Sequence, residues 1–364
     1  MELKGDMQIK KHMVVLIAIL VILLAVAVVA TVLQDDNVSQ PKNNASVVVT
    51  GDVMFARKMP GVLGDDPFRN VANVTSTADA LLINFENAAT NSSNAVKGDV
   101  PLKTSPDYVH YAKNNNVTVA SLANNHAFDY GIDGMHDTMQ ALKDNGIIPI
   151  GAGDNADAAH SPVNLDLNGR KVTILNYMDS NNFAEYSNEV MPVANDTSAG
   201  YSAYDSAVAK EQVKQAKENG SDMVIVYFHY GNEYSRSPND DQVAMSHEVI
   251  DAGADVVLGS HPHVTQGIEV YNGKPIFYSL GNFIFDQSNP ATHRAYFVEI
   301  DMINDTGICT VYPVDIVNYI PQFMSAEDGK GLLAELNPQC EQLSVTDEGV
   351  GKLQFNLTYG ESSG

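Results

Sequence analysis

Five times along this chain, a short apolar run rich in β-branched residues stops on a side chain that can hold a metal ion. Ser46-Val-Val-Val-Thr50 leads to Asp52, and Ala80-Leu-Leu-Ile-Asn84 leads to Glu86. Val117-Thr-Val-Ala-Ser121 leads to Asn125 and His126, and Asp222-Met-Val-Ile-Val-Tyr-Phe228 leads to His229. Ala254-Asp-Val-Val-Leu258 is closed by Gly259 and Pro262 and leads to His261 and His263. Runs of this length and composition read as buried strands. In an open α/β sheet, the loops beyond the C-terminal strand ends are where sites form. An extended backbone would point His261 and His263 to the same side, so the expectation is two imidazoles aimed at one place.

The segments between these runs fit the same plan. Residues 133–145, 203–219 and 240–252 have helical spacing, and Gly146 and Gly220 stop the first two. Asn168-Gly169 within 163–177 and Asn272-Gly273 between 268–271 and 275–279 are hairpin turns. Residues 295–302 and 308–317 alternate as strands, whereas 318–364 has weak periodicity and no evident role. Strands mixed with helices and hairpins predict a layered α/β domain with a mixed sheet.

Residues 13–33 form an uncharged apolar run, preceded by Lys4, Lys10 and Lys11 and followed by Asp35 and Asp36. That length suffices to cross a bilayer core of ~30 Å. The charge asymmetry puts residues 1–12 in the cytoplasm and the rest outside. A cleaved signal peptide with Ala25-Val26-Ala27 as its site is the competing reading. The run continues past that site to Leu33, which favours an uncleaved transmembrane anchor in the cell membrane. Residues 34–45 then read as a linker, 46–317 as the folded domain and 318–364 as a C-terminal extension. Asn-x-Ser/Thr triplets such as those at Asn37, Asn44 and Asn73 suit an exported chain.

The formal charge is −24, from 21 basic and 45 acidic residues. Such a surface repels nucleic acid, which needs clustered Lys and Arg. The only cysteines, Cys309 and Cys340, make neither a zinc site nor a disulfide framework, although outside the cytoplasm they could pair.

Asp52, Glu86, Asn125, His126, His229, His261 and His263 offer carboxylate, amide oxygen and imidazole, the donors that suit Mn²⁺, Fe²⁺ and Zn²⁺. Two such ions ~3.5–4 Å apart can clamp an oxyanion and activate water. Each residue alone has a plainer reading: a turn residue at Asp52, a surface charge at Glu86, a loop brace at Asn125, a satisfied core histidine at His229. Their recurrence at successive strand ends favours a site.

The motif order then becomes specific. Gly51-Asp52-Val-Met-Phe-Ala-Arg57, Asn84-Phe-Glu86, Ala123-Asn-Asn-His126-Ala-Phe-Asp129-Tyr-Gly131, His229-Tyr-Gly-Asn-Glu-Tyr234, Gly259-Ser-His-Pro-His263 and Tyr278-Ser-Leu-Gly-Asn-Phe283 resemble the CapA (PgsA-type) family. That family is linked to poly-γ-glutamate capsule synthesis and export, and is itself similar to calcineurin-like metallophosphatases. The resemblance implies a metallophosphatase-like four-layer αββα sandwich preceded by one transmembrane helix. It implies one or two divalent ions (Mn, Fe or Zn). Asp52, Glu86 and His263 would hold the first, with Glu86 bridging to a second on Asn125, His229 and His261. His126 would act as proton donor or oxyanion stabiliser with Asp129 orienting it, and Arg57 would hold an anionic substrate group.

Two positions depart from the metallophosphatase pattern. Met54 stands where Asp-x-His has its histidine, and Glu86 stands where an aspartate is usual. A thioether is a poor ligand for a hard ion, so the first position should be the weaker. Three functions follow from the resemblance: a metal-dependent enzyme of poly-γ-glutamate or related anionic polymer assembly, export or anchoring; a phosphoesterase on a small or lipid-linked phosphate; and a non-catalytic accessory to membrane synthase subunits.

Overall fold

The structure, a computed structural model, describes residues 43–357 apart from 63, 65, 184, 185, 338 and 339. The expected cytoplasmic stretch 1–12 and anchor 13–33 lie outside the described residues. Among those described, no helix is long and apolar enough to cross a membrane.

The chain first lays down four parallel strands: β1 (Ala45–Val53), β2 (Ala80–Phe85), β3 (Val117–Ser121) and β4 (Ile148–Ile150), with α1 (Gly131–Asp144) between the last two. It then builds a second sheet. The hairpin β5 (Val163–Leu167) and β6 (Arg170–Met178) is followed by α2 (Ser206–Glu218), β7 (Met223–His229), α3 (Asp240–Asp251), β8 (Val256–Ser260) and the hairpin β9 (Ile268–Tyr271) and β10 (Lys274–Phe277). This six-stranded sheet has the order β9-β10-β8-β7-β6-β5, with β6, β7, β8 and β10 parallel. The chain returns to the first sheet through β11 (Asn282–Ile284), β12 (Arg294–Ile303), β13 (Thr306–Val317) and β14 (Ile320–Phe323). After α4 (Ala326–Leu336), β15 (Gly351–Asn356) and the two-residue strand Ser344–Val345 paired with it complete a mixed sheet of ten strands.

The helix starts are written in the sequence. The Asp205 side chain accepts from the backbone N–H groups of Ala207 and Val208 at the head of α2. Asn239 and Gln242 form a reciprocal capping box at the head of α3.

The core forms between and outside the two sheets. Val47, Val49, Leu82 and Val119 meet Ile174, Ile225, Tyr227 and Leu258 between them. The outer face of the first sheet packs Leu81, Ile83 and Ala120 against Met135 and Leu142 of α1. The outer face of the second packs Val224, Val226 and Val257 against Val213 of α2 and Val249 of α3. The layers therefore run helices, sheet, sheet, helices, and the expected layered α/β fold with a mixed sheet is observed.

The boundary expected after residue 317 runs through continuous structure. β14 pairs with the end of β13, and β15 pairs with its beginning. Leu332, Leu333 and Leu336 of α4 reach the core between the sheets, as do Leu353 and Phe355. Gly329 and Gly331 weaken the helical signature of α4 in the sequence. Cys309 and Cys340 are both free and buried in that same core.

Register aligns the strand ends. Asp52 stands opposite Asn84 on one side and Asn282 on the other, and Asn84 stands opposite Ser121. In the second sheet, His229 stands opposite Ser260 and Met178. Gly51 is required there, because a Cβ would collide with the carbonyl oxygen of Gly281. Tyr227 Oη donates to the Thr50 carbonyl at 3.0 Å and ties the two edges together just below the site.

Candidate metal centre

Asp52, Asn84 and Glu86 form the floor of the site, and all three are fully buried. The Asn84 side-chain NH2 donates to Asp52 Oδ1 at 2.8 Å and to Glu86 Oε2 at 2.9 Å, and lies 3.4 Å from His229 Nδ1. Its own oxygen accepts from Asn124 Nδ2 at 3.0 Å, which sets the amide's orientation. An amide thus contributes partial positive charge at the point where two carboxylates and an imidazole converge.

His263 closes one side. Its Nδ1–H donates to Asn282 Oδ1 at 2.9 Å, and Nε2 faces Glu86 Oε1 at 3.7 Å. Asp52 Oδ2 lies 3.1 Å from Nδ1 but has no hydrogen-bond donor. His229 forms the other side, with Nδ1 3.1 Å from Ser260 Oγ and Nε2 3.1 Å from Asn125 Oδ1. His261 packs its ring 4.7 Å from that of His229, and its Nδ1 is buried without a partner. Phe183 covers both rings, stacked on His229 and edge-on to His261.

The two histidines reach the site differently from the sequence expectation. β8 extends through Gly259 to Ser260, and Gly259 is needed there because Tyr278 and Tyr230 leave no room for a Cβ. His261 and His263 then adopt φ values of 98° and 57°. Positive φ at both, not extended alternation, aims the rings inward, a conformation that costs non-glycine residues on the order of 1–3 kcal/mol each.

His126 and Asp129 lie at the rim, beyond β3. His126 Nδ1 is 2.7 Å from Asp129 Oδ2, which also accepts from the Leu102 backbone N–H at 2.6 Å. Lys97 Nζ lies 3.7 Å from Asp129 Oδ1 and donates to the Asn125 carbonyl at 3.1 Å. With its Nδ1 proton directed at Asp129, neutral His126 offers Nε2 as an acceptor and must gain a proton before it can donate from there.

Electrostatics separate these groups. Burial pushes Asp52 up, but adjacent His263 outweighs it and holds the carboxyl below its usual range. Glu86 is driven well above the usual range by burial and then by the charge of Asp52. His229 is held well below the imidazole range by burial and by His261 and His263, and His261 is pushed down to about 3 by burial and His263. Burial would lower His263 too, but Asp52 reverses the sign and raises it.

His261 stays neutral in the folded chain but titrates near ~6.5 when unfolded. The unfolded state therefore binds more protons between those values, and metal-free stability falls as pH drops from ~6.5 towards 3. His261→Gln should flatten the loss, on the order of a few kcal/mol, in urea unfolding of the metal-free chain between pH 6.5 and 4. Equal slopes for the two proteins would contradict the assignment.

The residues fit a cation. Asp52 Oδ2, Glu86 Oε1 and His261 Nδ1 are buried acceptor-capable atoms without hydrogen-bond partners. Ligand atoms of Asp52, Glu86 and His229 lie within 4.8 Å of one another. Met54 belongs to neither position. It is fully buried in the outer core of the first sheet, and its sulfur accepts from the Ala56 backbone N–H at 2.9 Å.

Of the residues singled out in the sequence, Asp52, Glu86, Asn125, His126, Asp129, His229, His261 and His263 gather along this edge. Arg57 stands apart: its guanidinium pairs with Asp286 and lies 5.6 Å above the Phe285 ring. Asn84, Asn282, Lys97 and Phe183 also belong to the site. Asn84 and Asn282 stand in the strand-end motifs, but nothing in the spacing shows which way an amide points. Lys97 and Phe183 come from connecting segments that no periodicity ties to the strand ends.

Residues 46–287 match the model of a family described as bacterial capsule synthesis protein PGA_cap, and the chain belongs to that family. It is 32% identical to the PGA biosynthesis protein CapA of Bacillus subtilis, over 87% of this chain and 83% of that protein. It is 30% identical to the capsule biosynthesis protein CapA of Bacillus anthracis, over 86% of this chain and 78% of that protein. A probable polyglutamine synthesis accessory protein of Mycobacterium tuberculosis is 31% identical over 63% of this chain and 61% of its own length. Among solved structures, the NAD nucleotidase of Haemophilus influenzae overlays with a TM-score of 0.48 at 13% identity, covering 84% of this chain and 64% of that one. An overlay that loose carries no argument.

Proposed function

We propose that this chain is a metal-dependent member of the capsule-synthesis family, acting in the assembly, export or anchoring of poly-γ-glutamate or a related anionic surface polymer. The observation that carries this reading is the buried set of donor-less acceptors on Asp52, Glu86 and His261, facing His229 and His263. Burying carboxylate oxygens without donors is costly unless a cation compensates. We assign Glu86, Asn125, His229 and His261 to the stronger position, and Asp52, Glu86 and His263 to a weaker one. Mn²⁺, Fe²⁺ and Zn²⁺ suit these donors. A divalent ion there would supply Lewis-acid charge for a developing anion. His126, oriented by Asp129, would move the proton. The helix-sheet-sheet-helix layering with ligands at strand ends is the arrangement expected of a metallophosphatase-like domain.

A phosphoesterase using two equally held ions is the weaker reading, because Met54 lies in the core and Asn84 places an NH2 between the carboxylates. A non-catalytic accessory of membrane synthase subunits would keep the fold and family role but need no turnover. Cells that lack the chain should regain surface polymer with the wild type and not with Glu86→Gln. Full restoration by a folded Glu86→Gln chain would favour the non-catalytic accessory.

We further propose, from the uncharged run 13–33 and the lysines before it, that the chain is anchored there with its N-terminus inside the cell and its domain outside. Protease added to intact cells should digest the chain beyond residue 45. Protection until the cells are lysed would exclude that topology.

A further inference from the structure

The geometry points to a substrate subsite outside the metal centre: a cavity of about 360 Å³ lined by Arg57, Lys58, Tyr234, Asp286 and Gln287 takes a carboxylate of an acidic polymer chain, received by Lys58 and positioned by Tyr234. This deepens the polymer reading above and rests on it.

The two cations at this mouth are not equivalent. The Arg57 guanidinium is committed to Asp286, whose other carboxylate oxygen accepts from the Lys58 backbone N–H at 3.1 Å. Lys58 Nζ lies 5.7 Å from the centre of the Tyr319 ring. No ion pair joins it to a carboxylate among the described residues. Glu233 stands beside Tyr234 at this mouth, so Arg57 and Lys58 are balanced in number by Asp286 and Glu233, but with Arg57 taken by Asp286 the Lys58 ammonium is left open to a ligand. A singly charged carboxylate matches one open cation. A phosphate group would call on both cations and meet Asp286. The volume is at the small end of ligand pockets and suits one side group of a chain that continues past it.

Tyr234 connects the cavity to the metal centre. It is half exposed, and its φ is 62°, a left-handed conformation unusual for an aromatic residue. Its backbone N–H donates to the Pro262 carbonyl at 2.8 Å, between the two site histidines, and its ring lies 6.3 Å from that of His263. Its hydroxyl is 3.4 Å from Gln287 Nε2, Gln287 Oε1 accepts from Asn282 Nδ2 at 2.9 Å, and Asn282 Oδ1 accepts from His263 Nδ1. A group seated against Tyr234 and Lys58 thus sits one hydrogen-bonded chain away from a candidate ligand. Arg57, at φ 53°, is a second left-handed residue at the same mouth. Strain gathered at one opening is the pattern of a site held in shape for a ligand.

The test is binding of a fluorescently labelled poly-γ-glutamate oligomer to the metal-loaded full chain, followed by anisotropy. Lys58→Glu should weaken binding about tenfold or more and Tyr234→Ala by several-fold, with metal content per chain and melting temperature at wild-type values. Inorganic phosphate at equal concentration should not displace the oligomer. If the wild type binds the oligomer and Lys58→Glu, Lys58→Ala and Tyr234→Ala bind it equally well, the subsite is wrong while the polymer reading stands. If the wild type does not bind the oligomer, both fall. Displacement by phosphate from the wild type would overturn the carboxylate assignment.

Discussion

His229→Ala and His261→Ala should each strip the chain of the divalent metal that the wild type retains at limiting supply, whereas Asp52→Ala should reduce retention much less. The expectation follows from how the two positions are furnished. His229 and Asn125 face one another at 3.1 Å, and His261 brings a buried, partnerless Nδ1 beside them. Removing one imidazole from a set this small leaves too few donors to hold the ion, and a loss of 10–100-fold follows even from outer-shell changes in comparable sites. In the proposed assignment Asp52 serves the poorer position, because Met54 lies in the core and Asn84 already engages Asp52 Oδ1. Elemental analysis of folded variants, checked by circular dichroism, reads the outcome. Retention in His229→Ala together with complete loss in Asp52→Ala would reverse the assignment of the positions.

Asn84→Ala should cost the metal-free chain on the order of 3 kcal/mol, and bound metal should recover much of it. Asn84 donates to two fully buried carboxylates, and hydrogen bonds to charged groups contribute ~1.5–3 kcal/mol each. Its loss leaves Asp52 and Glu86 facing one another with less compensation. Glu86 is already driven towards its protonated form, which limits the penalty. A cation binding only the folded state restores stability by mass action. Urea unfolding with and without chelator separates the two terms. An Asn84→Ala chain as stable as the wild type without metal would mean that the amide is not what compensates these carboxylates.

Much of the architecture was legible because the strands are short, apolar and ended by polar residues. The runs at 46–50, 80–84, 117–121 and 222–228 lie within β1, β2, β3 and β7 to within a residue or two, and both Asn-Gly turns close hairpins. Elements without that signature were harder to read. β4 is Ile148-Pro-Ile150, and a proline demotes a strand, while β11 has only three residues. β15 alternates well, but it lies beyond a glycine-interrupted helix and joins the sheet by pairing with β13, far back in sequence. At the site, periodicity located the side chains but not their directions. His261 and His263 are left-handed, and around them Tyr230 and Tyr278 crowd Gly259 while the Tyr234 N–H holds the Pro262 carbonyl, contacts that no local pattern encodes. The spacing that marks Arg57 as a candidate for an anionic group does not show its pairing with Asp286, which lies 229 residues further along the chain.

If these strand ends hold a divalent ion, the purified full chain should retain about one tightly held ion per folded chain after exposure to limiting Mn²⁺, Fe²⁺ or Zn²⁺ and removal of free ion. Chelator should release it with a fall in melting temperature. A folded chain that retains none of the three, and whose melting temperature chelator leaves unchanged, would contradict metal binding at these strand ends.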